Sequence, residues 1–349
     1  MPPAPSAIRN LRNHPHVRRV LGEWRRLTGG GSVRDAERAT LIACSGGADS
    51  SALAIALGQA PTRIVLAHVV HDLRPEDEAL ADRDATAALA DRLSLEFVES
   101  RIAVRELGGN LEARARRERY RALEQLAHDA DLPFVATGHH ADDQLETLLM
   151  RLVRGAGARG MGGIAPKRRL GSTTLVRPML GIGRAEGEEV CELAGWAWRV
   201  DETNRETSRL RAALRHDVIP ALKRTVPGAS ERASATADAC RDAGRAIELI
   251  AARAGQLSRV QATPDAVEWN RQRLRRLPNA VLGELVRQEF VTMVGAGADR
   301  LPRRTLARIV SAIRDDSGES RRFDLWGARI ELTRGRVRMW RGDAAQAER

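Results

Sequence analysis

Aromatic residues and lysines are both scarce in this chain. Phe, Trp and Tyr together make up only 3% of the 349 residues, too few for the stacking platform of a single-strand-binding protein. Lys167 and Lys223 are the only lysines, so arginine supplies nearly all of the positive charge. The net charge is nevertheless +11 at pH 7, which favours a polyanionic partner. A bias in genomic GC content would explain why arginine is used in place of lysine. It explains less well why basic residues outnumber acidic ones.

Cysteines and long apolar runs are scarce too. Cys44, Cys191 and Cys240 are far apart and form no CxxC pair. This argues against a disulfide framework, a zinc site or an iron–sulfur cluster, and it fits a reducing cytosol. No apolar run approaches the roughly 18 residues of a membrane-spanning helix, and the polar N-terminus lacks the core of a signal peptide. We therefore expect a cytoplasmic protein that does not enter membranes.

The most informative segment is Ser45–Ser51, which has the sequence SGGADSS and follows the apolar run Thr40–Cys44. This pattern predicts a buried strand that turns sharply into a helix. Glycines let backbone amides approach an anion, and a helix N-terminus favours phosphate. The carboxylate of Asp49 would repel phosphate unless Mg²⁺ lay between them. The segment therefore predicts a nucleotide bound through its phosphates with Mg²⁺. A plain tight turn is the alternative, and a Walker loop is excluded because no Gly-Lys-Ser/Thr follows.

Strand and helix patterns alternate from about residue 39 onward. Predicted strands cover 40–44, 63–70, 96–100 and 134–137, and each is followed by a predicted helix, at 50–57, 76–93, 111–128 and 142–153. This succession predicts an α/β domain with a doubly wound parallel sheet, whose ligands collect at the carboxyl ends of the strands. The glycine- and arginine-rich residues 155–169 are predicted to form a loop near that site.

Three domains are predicted along the chain. Residues 1–36 are expected to form a basic N-terminal arm, and residues 37–223 the catalytic domain. Residues 224–349 are expected to form a helical connector followed by a small C-terminal α+β domain. From residue 221 to the end there are 25 Lys and Arg against 16 Asp and Glu. Most of the excess charge therefore lies where a nucleic-acid-binding domain would place it.

Polar residues follow the second and third predicted strands. His68 and His71 lie near the end of the second strand, where contacts to adenine or ribose are expected, although a lone histidine there is often structural. Glu112 and Arg116 share one face of the next helix, which Asn110 can cap. A solvated ladder of salt bridges is the alternative interpretation of that helix.

Acidic residues follow the fourth predicted strand. His139, Asp143 and Glu146 lie at helical spacing, and His140 shares a neighbouring face with Asp143. A zinc site is the weaker alternative, because two adjacent histidines at a helix start rarely face one metal. An oxygen ligand for phosphate-bound Mg²⁺ fits better, since Mg²⁺ prefers oxygen and takes few protein ligands. Asp143 is therefore the predicted second metal ligand beside Asp49.

Two arginines lie one helical turn apart near the end of the predicted catalytic domain. Arg211 and Arg215 follow the polar residues Asp201–Asn204 and lie one helical turn apart. Guanidinium groups placed in this way can meet a phosphate or a developing negative charge. We expect this segment to close the catalytic domain.

Together these motifs resemble the tRNA(Ile)-lysidine synthase family, a branch of the N-type ATP pyrophosphatases. The family's motifs occur here in order over roughly residues 40–220, as SGGxDS, HVxHxLR, ExxARxxRY, HxxDxxET, RG, RPxL and DxxN followed by RxxxR. Ala212 replaces the asparagine of the last motif, and Val70 stands where a polar residue is common. Beyond residue 220 a general likeness remains, including Trp269 and Asn270, and the chain resembles the shorter members.

The resemblance implies an ATP-dependent ligase that joins L-lysine to C2 of cytidine 34 in the CAU anticodon of tRNA(Ile). In that reaction cytosine O2 attacks the α-phosphate of ATP, pyrophosphate leaves, and the ε-amine of lysine displaces AMP. The resemblance implies ATP and Mg²⁺ as cofactors. The charge excess of the C-terminal domain predicts that this domain binds the tRNA, and the sequence requires no protein partner. A tRNA thiolation enzyme of the same superfamily and a catalytically inactive RNA-binding protein are the alternatives.

The resemblance also implies roles for individual residues. Mg²⁺ is expected at Asp49 and Asp143. Arg116 and Arg211 are expected to join them in catalysis by stabilising the phosphoryl transition state. Lysine is expected at Glu146 and His140. The residues expected to bind ATP are Ser45, Gly46, Gly47, Ala48, Asp49, Ser50, Ser51, His68 and His71.

Overall fold

The structure, a computed structural model, describes residues 10–73, 75–105, 111–199, 209–295 and 301–342. Arg74, Asn110 and Asp201–Asn204 of the motifs above lie outside the described residues, as does the side chain of Glu112. The chain divides into two compact units, Met1–Cys240 and Arg241–Arg349. Within the described ranges no helix is both long and apolar enough to span a membrane.

The first unit alternates strands and helices in the predicted order. Its strands are β1 (Thr40–Ala43), β2 (Ile64–His71), β3 (Glu96–Ile102), β4 (Phe134–Thr137), β5 (Lys167–Leu170) and β6 (Thr173–Val176). Its helices are α1 (Pro15–Leu27), α2 (Ala48–Leu57), α3 (Glu76–Leu93), α4 (Leu111–Asp129), α5 (Ala141–Val153), α6 (Arg184–Leu193), α7 (Arg209–Ala213) and α8 (Ile219–Thr225). A π-helical turn, Leu214–Val218, joins the last two, and the long helix α9 (Ala229–Ser258) begins in this unit.

The six strands of the first unit form one sheet in the order β3-β2-β1-β4-β6-β5. The five strands from β3 to β6 run parallel, and β5 at the edge is antiparallel to β6. Successive residues of β1 pack on opposite faces, Ile42 with α2 and α6 and Leu41 with α4. Helices therefore cover both faces, which confirms the predicted doubly wound α/β fold.

The carboxyl ends of the parallel strands meet along one edge of this sheet. The chain leaves β1 at Cys44, β2 after His71 and β4 after Thr137. Because Ala43 of β1 pairs with Thr137 of β4, the loops that follow these two neighbouring strands lie side by side. Doubly wound sheets bind their ligands at this edge.

Helix α1 belongs to the core of the first unit, which differs from the predicted basic arm over residues 1–36. Its buried residues are Val17, Val20, Leu21, Trp24 and Leu27. The indole nitrogen of Trp24 donates a hydrogen bond to Thr40 Oγ1 at 3.1 Å. Buried Arg38 donates to three backbone carbonyls at and after the end of α1. The arginines of α1 therefore surround an apolar face, and that face packs.

The second unit is an α+β unit of its own, as predicted. Its strands are β7 (Arg259–Thr263), β8 (Ala266–Asn270), β9 (Arg321–Leu325), β10 (Ala328–Leu332) and β11 (Arg336–Arg341). Its helices are α10 (Arg271–Arg275), α11 (Asn279–Val294) and α12 (Arg303–Arg314). The strands form an antiparallel sheet in the order β7-β8-β11-β10-β9. One face of it, including Trp269, Ile330 and Met339, packs with Phe290 and Ile309 of the helices.

The division between the units lies later than the predicted boundary at residue 223. The first turns of α9 still belong to the first unit, because Ser234 Oγ donates to the carbonyl of Leu180 at 2.7 Å. Ala229 is also buried there, in a cluster with Leu145 and Leu214. The connector is therefore anchored on the first unit over its first turns.

Replacing Trp24 with alanine should destabilise the first unit. Truncating a fully buried aromatic side chain leaves a cavity and costs about 3–5 kcal/mol. We expect the urea midpoint of the full chain, followed by circular dichroism, to fall accordingly. Arg18→Ala on the exposed side of the same helix is the control and should change stability by less than about 0.5 kcal/mol. Wild-type stability of the Trp24 variant would contradict the packing of α1.

Candidate active site

The loop after β1 presents the N-terminus of α2 at the carboxyl edge of the sheet. Gly46 has a φ of +82°, and a Cβ there would lie 3.3 Å from the carbonyl oxygen of Asp82, which favours glycine. Gly47 is the N-cap of α2. The hydroxyl of Ser50 accepts from the amide of Ser45 and donates to the carbonyl of Gly47, both at 3.1 Å. The loop is therefore held in a shape that leaves the first amides of α2 for an anion.

The predicted ATP-binding residues of this loop differ in their exposure. Ser45 is exposed, and Gly47 and Asp49 are partly exposed. The remaining members are buried, namely Gly46, Ala48, Ser50 and Ser51. Backbone amides, more than the buried side chains, are thus what the loop offers to a phosphate.

The two predicted histidines of β2 lie in different positions. His68 is buried inside the strand, with Nδ1 2.9 Å from the carbonyl oxygen of Cys44. Burial lowers the pKa of His68, so the ring is neutral and supports the start of the loop. His71 is the last residue of β2. Contact of either ring with ATP stays a prediction.

The loops after β1 and β4 bring Asp49 and Asp143 together at one imidazole. Nε2 of His140 lies 3.4 Å from Oδ2 of Asp49 and 3.6 Å from Oδ2 of Asp143. Asp143 also caps α5, since its Oδ2 accepts from the backbone amide of His140 at 3.1 Å. Gly138 permits the close approach, because a Cβ there would lie 2.8 Å from the backbone oxygen of Asp49. Both predicted metal ligands therefore lie at one point.

This meeting point has a strongly negative potential. Burial alone would lower the pKa of His140, but its hydrogen bond to Asp49 and the charges of Asp143 and Asp49 raise that pKa to about 9. Oδ1 of Asp49 is buried and has no hydrogen-bond partner among the residues that the structure describes. A carboxylate oxygen with unused lone pairs beside a second carboxylate suits a hard cation such as Mg²⁺.

The protein offers few ligands for such a cation. Over the described part of the chain, no group of three or more His, Cys, Asp and Glu side chains forms a metal centre. Two carboxylates suffice for Mg²⁺ when phosphate oxygens and water complete its coordination. His139 does not join them, because its Nδ1 lies 2.9 Å from Thr137 Oγ1. Burial and then the charge of Arg177 lower the pKa of His139 to about 3, so its ring is neutral.

Glu146 is buried on α5 between two arginines. One carboxylate oxygen accepts a hydrogen bond from Nε of Arg211 and the other from Nε of Arg215. Arg215 Nη2 also lies 3.5 Å from Oδ1 of Asp143. The predicted lysine-binding carboxylate is thus neutralised by two guanidinium groups, and Glu146 positions the predicted catalytic Arg211. Arg215 joins the site beyond the predicted set, and its spacing from Arg211 was the available signal.

Asp142 ties α5 to the end of the first unit, a contact that the sequence analysis missed. Its carboxylate lies 2.9 Å from Lys223 Nζ and accepts a hydrogen bond from the hydroxyl of Ser230. Burial opposes the charge, but the bonds to Ser230 and Lys223 lower the pKa of Asp142 below its usual value. Sequence patterns could not reveal this contact, because the partners lie more than 80 residues away.

Arg116 lies in a separate group on the same edge, which we name the arginine–tyrosine cluster. Nη2 of Arg116 lies 3.3 Å from the hydroxyl of Tyr120, and its guanidinium carbon is 5.2 Å from the centre of that ring. The cluster consists of Arg116, Tyr120, Arg168 and Arg177. It borders the site, because Arg177 and Arg116 both contribute to the lowered pKa of His139.

The three cysteines are free thiols. Burial raises the pKa of Cys44 and raises that of Cys191 to about 12, so neither is a thiolate at neutral pH. Cys191 Sγ donates to the carbonyl of Ala48 at 3.5 Å, which is a packing contact. Sulfur transfer needs reactive thiolates, and these two residues do not provide them.

Comparisons with known proteins identify the family of this chain. The PP-loop domain family matches residues 22–222. The tRNA(Ile)-lysidine synthase of Methylobacterium sp. (strain 4-46) is 34% identical over 327 residues, which cover 91% of this chain and 92% of the relative. That of Geobacter sulfurreducens is 38% identical over 61% of this chain, which spans only 46% of the relative's length. The U34-tRNA thiolase NcsA from Methanococcus maripaludis shares the fold, with a TM-score of 0.53 and 16% identity over 65% of this chain and 79% of that chain.

Replacing Gly138 with alanine should weaken ATP binding without unfolding the protein. The added Cβ would lie within 3 Å of two backbone atoms of Asp49, so the loops after β1 and β4 must move apart. We expect the Kd for ATP, measured by calorimetry, to rise about tenfold or more, since overpacking costs about 1–3 kcal/mol.

Gly157→Ala provides the matched control for this variant. A Cβ at Gly157 would meet nothing within 4 Å, and its Kd for ATP should equal that of the wild type. Unchanged ATP affinity in the Gly138 variant would mean that the close approach does not hold the site together.

Proposed function

We propose, because this chain belongs to the tRNA(Ile)-lysidine synthase family, that it ligates L-lysine to C2 of cytidine 34 in the CAU anticodon of tRNA(Ile). ATP is cleaved to AMP and pyrophosphate in the process. The observation that carries the proposal is the approach of Asp49 and Asp143 to one imidazole beside the N-terminus of α2. A carboxylate pair beside free backbone amides suits the binding of a metal-bound triphosphate.

The loop and the two carboxylates are assigned to ATP. In this proposal the backbone amides of the Ser45–Ser51 loop hold the departing pyrophosphate. Asp49 and Asp143 hold Mg²⁺, which when bound neutralises charge that develops as pyrophosphate leaves. We assign His140 to orienting the two carboxylates, since its Nε2 lies 3.4 Å from Asp49 and 3.6 Å from Asp143. This differs from the lysine contact that the family resemblance implies.

The first step is the attack of cytosine O2 on the α-phosphate. Arg215 lies beside Asp143, and Arg211 holds the other oxygen of Glu146. Both guanidinium groups can stabilise the developing negative charge, with Arg116 at the border of the site. Pyrophosphate leaves and the cytidine becomes adenylated. A base in a single-stranded anticodon loop reaches the site at low cost, because it has no pairing partner to lose.

The second step requires lysine to bind as an ammonium and to attack as a neutral amine. We assign its binding to Glu146, whose two oxygens are occupied by Arg211 and Arg215. The incoming ammonium would displace one guanidinium from this carboxylate and transfer a proton to it. The amine then attacks C2 and AMP leaves. A displaced arginine would be free to turn toward the phosphate of AMP.

Nucleoside analysis tests the proposed reaction. The full chain is incubated with tRNA(Ile) carrying the CAU anticodon, ATP, Mg²⁺ and labelled lysine. We expect label in one modified cytidine and equal amounts of AMP and pyrophosphate. A thiolation enzyme would instead produce a sulfur-containing nucleoside only with a sulfur donor, and an inactive RNA-binding protein would release no AMP. Either result would contradict the proposal.

Asp49→Asn should abolish adenylation while the protein stays folded. The amide keeps the shape of the side chain but loses the charge that a metal ligand needs, which should lower the rate by roughly a hundredfold or more. The measurement is AMP release with tRNA across a range of Mg²⁺ concentrations. Asp129→Asn, on the exposed end of α4, is the control. Normal turnover of the Asp49 variant at ordinary Mg²⁺ would refute its metal role.

We further propose that the second unit binds the tRNA. Arg304 and Arg308 are exposed one turn apart on α12. Neither forms an ion pair within the described ranges. Arg321 and Arg336 pair with Asp315 and Glu268 and offer a control with the same loss of charge.

Replacing both Arg304 and Arg308 with alanine should weaken tRNA binding at constant ATP affinity. Each lost phosphate contact lowers the slope of log K against log salt by about one. The Kd for tRNA is measured across a salt series for this pair and for the control pair Arg321 and Arg336. If the two pairs had equal effects, Arg304 and Arg308 would have no specific role in tRNA binding. The charge excess of the second unit would then be better explained by the arginine-rich composition of the chain.

A further inference from the structure

Three guanidinium groups converge on the single tyrosine of this chain. The guanidinium carbons of Arg168 and Arg116 lie 4.6 Å and 5.2 Å from the centre of the Tyr120 ring. Arg177 is only 3% exposed, forms a hydrogen bond with Tyr120 and donates to the carbonyl of Ala165 at 2.6 Å. Its Nε is buried and has no hydrogen-bond partner among the described residues.

The charges of this cluster are not balanced by the described part of the chain. No described carboxylate forms an ion pair with Arg116, Arg168 or Arg177. Burial lowers the pKa of Arg177, and the charges of Arg168 and Arg116 lower it further. The same three arginines outweigh burial and lower the pKa of Tyr120. Like charges held together without a counter-charge are the arrangement that binds an anion.

The cluster lies on the functional edge of the sheet but away from the phosphate loop. Arg177 directly follows β6, and Arg168 pairs in register with Leu175 near the carboxyl end of β6. Neighbouring strands are about 4.8 Å apart. In the order β1-β4-β6-β5, β6 is two strands from β1, or roughly 10 Å, and Arg177 directly follows it. Arg168 lies on β5, which is three strands from β1, or roughly 14 Å.

We propose that the arginine–tyrosine cluster binds a backbone phosphate of the tRNA next to the nucleotide that is modified. The inference rests on the proposed function and adds a second anion site to it. The phosphates of ATP are assigned to the α2 N-terminus and the carboxylate pair, with Arg116 at the border. An anion at Arg168 and Arg177, two to three strands from β1, is therefore assigned to another molecule. Arg168 is exposed between Lys167 and Arg169, which opens the cluster to a polyanion from solvent.

The geometry also gives Tyr120 a role in the cluster. A guanidinium held over an aromatic ring keeps N–H groups for phosphate oxygens. Arg116 and Arg168 each use one nitrogen for a hydrogen bond within the protein, and their other N–H groups are left for an anion. Tyr120 thus holds Arg116 and Arg168 in orientation, and Arg177 supplies a buried charge beside them. Arg116 and Arg177 also lower the pKa of His139, and β6, which Arg177 follows, is the neighbour of β4. The bound phosphate would therefore lie about one strand from the segment that carries Asp143. This position suits a nucleotide whose base enters the active site.

Arg168→Ala tests the proposal, with Arg169→Ala as its matched control. Both residues are exposed on β5, and both changes remove one charge, but Arg169 donates to the carbonyl of Gly171 and has no contact with the Tyr120 ring. The Kd values for tRNA and for ATP are measured separately, without lysine, across a salt series. We expect Arg168→Ala to raise the Kd for tRNA about tenfold and to reduce the salt slope by about one, with ATP affinity unchanged.

Arg168→Lys and a phosphate-modification assay complete the test. The lysine variant keeps the charge but loses the planar stack, so it should keep the salt slope and bind tRNA with intermediate affinity. Ethylation of the phosphates beside cytidine 34 should raise the Kd of the wild type by a similar factor of about ten but add little to the defect of Arg168→Ala. Equal behaviour of the Arg168 and Arg169 alanine variants would overturn the proposal. So would loss of ATP affinity alone, which would assign the cluster to ATP. Failure of lysine incorporation by the wild type would refute the proposed function and leave these binding measurements interpretable.

Discussion

The approach of two carboxylates to one buried imidazole is the interaction on which the site depends. Asp49 follows β1, Asp143 belongs to α5, and His140 between them contacts both. A buried carboxylate is costly without a donor beside it, and His140 offers its ring nitrogen to Asp49 and its backbone amide to Asp143. The approach also needs Gly138, where a side chain would collide with the backbone of Asp49. The position of α5, and with it Glu146 and its two arginines, follows from this contact.

Arginine serves two physical purposes in this chain. Buried Arg38 and Arg271 each donate to several backbone carbonyls, at the ends of α1 and α12 respectively. These side chains satisfy helix termini that would otherwise lose hydrogen bonds on burial. The net charge therefore overstates the surface available to a nucleic acid. The arginines that we assign to RNA are those without a carboxylate partner among the described residues, as in the arginine–tyrosine cluster.

Much of the catalytic fold was predictable because its elements have clear periodicity. The strand at Phe134–Thr137 and the helix Glu76–Leu93 have the predicted bounds. The β5–β6 hairpin was predicted as a loop up to residue 169, because Lys167, Arg168 and Arg169 show no apolar alternation. Pairing with β6 at the sheet edge, rather than burial, makes that segment a strand. A helix was predicted near α1, but its arginines suggested a separate arm, whereas its apolar face is buried in the core.

The sequence by itself determined the phosphate loop and the two carboxylates, because local spacing sets glycine turns, helix starts and helix faces. Tertiary structure alone decided how these residues are used. It places His140 between the carboxylates, neutralises Glu146 with Arg211 and Arg215, and brings Arg168 and Arg177 to Tyr120. These contacts join residues tens of positions apart, and their charges respond to burial and to neighbours that exist only once the strands have paired.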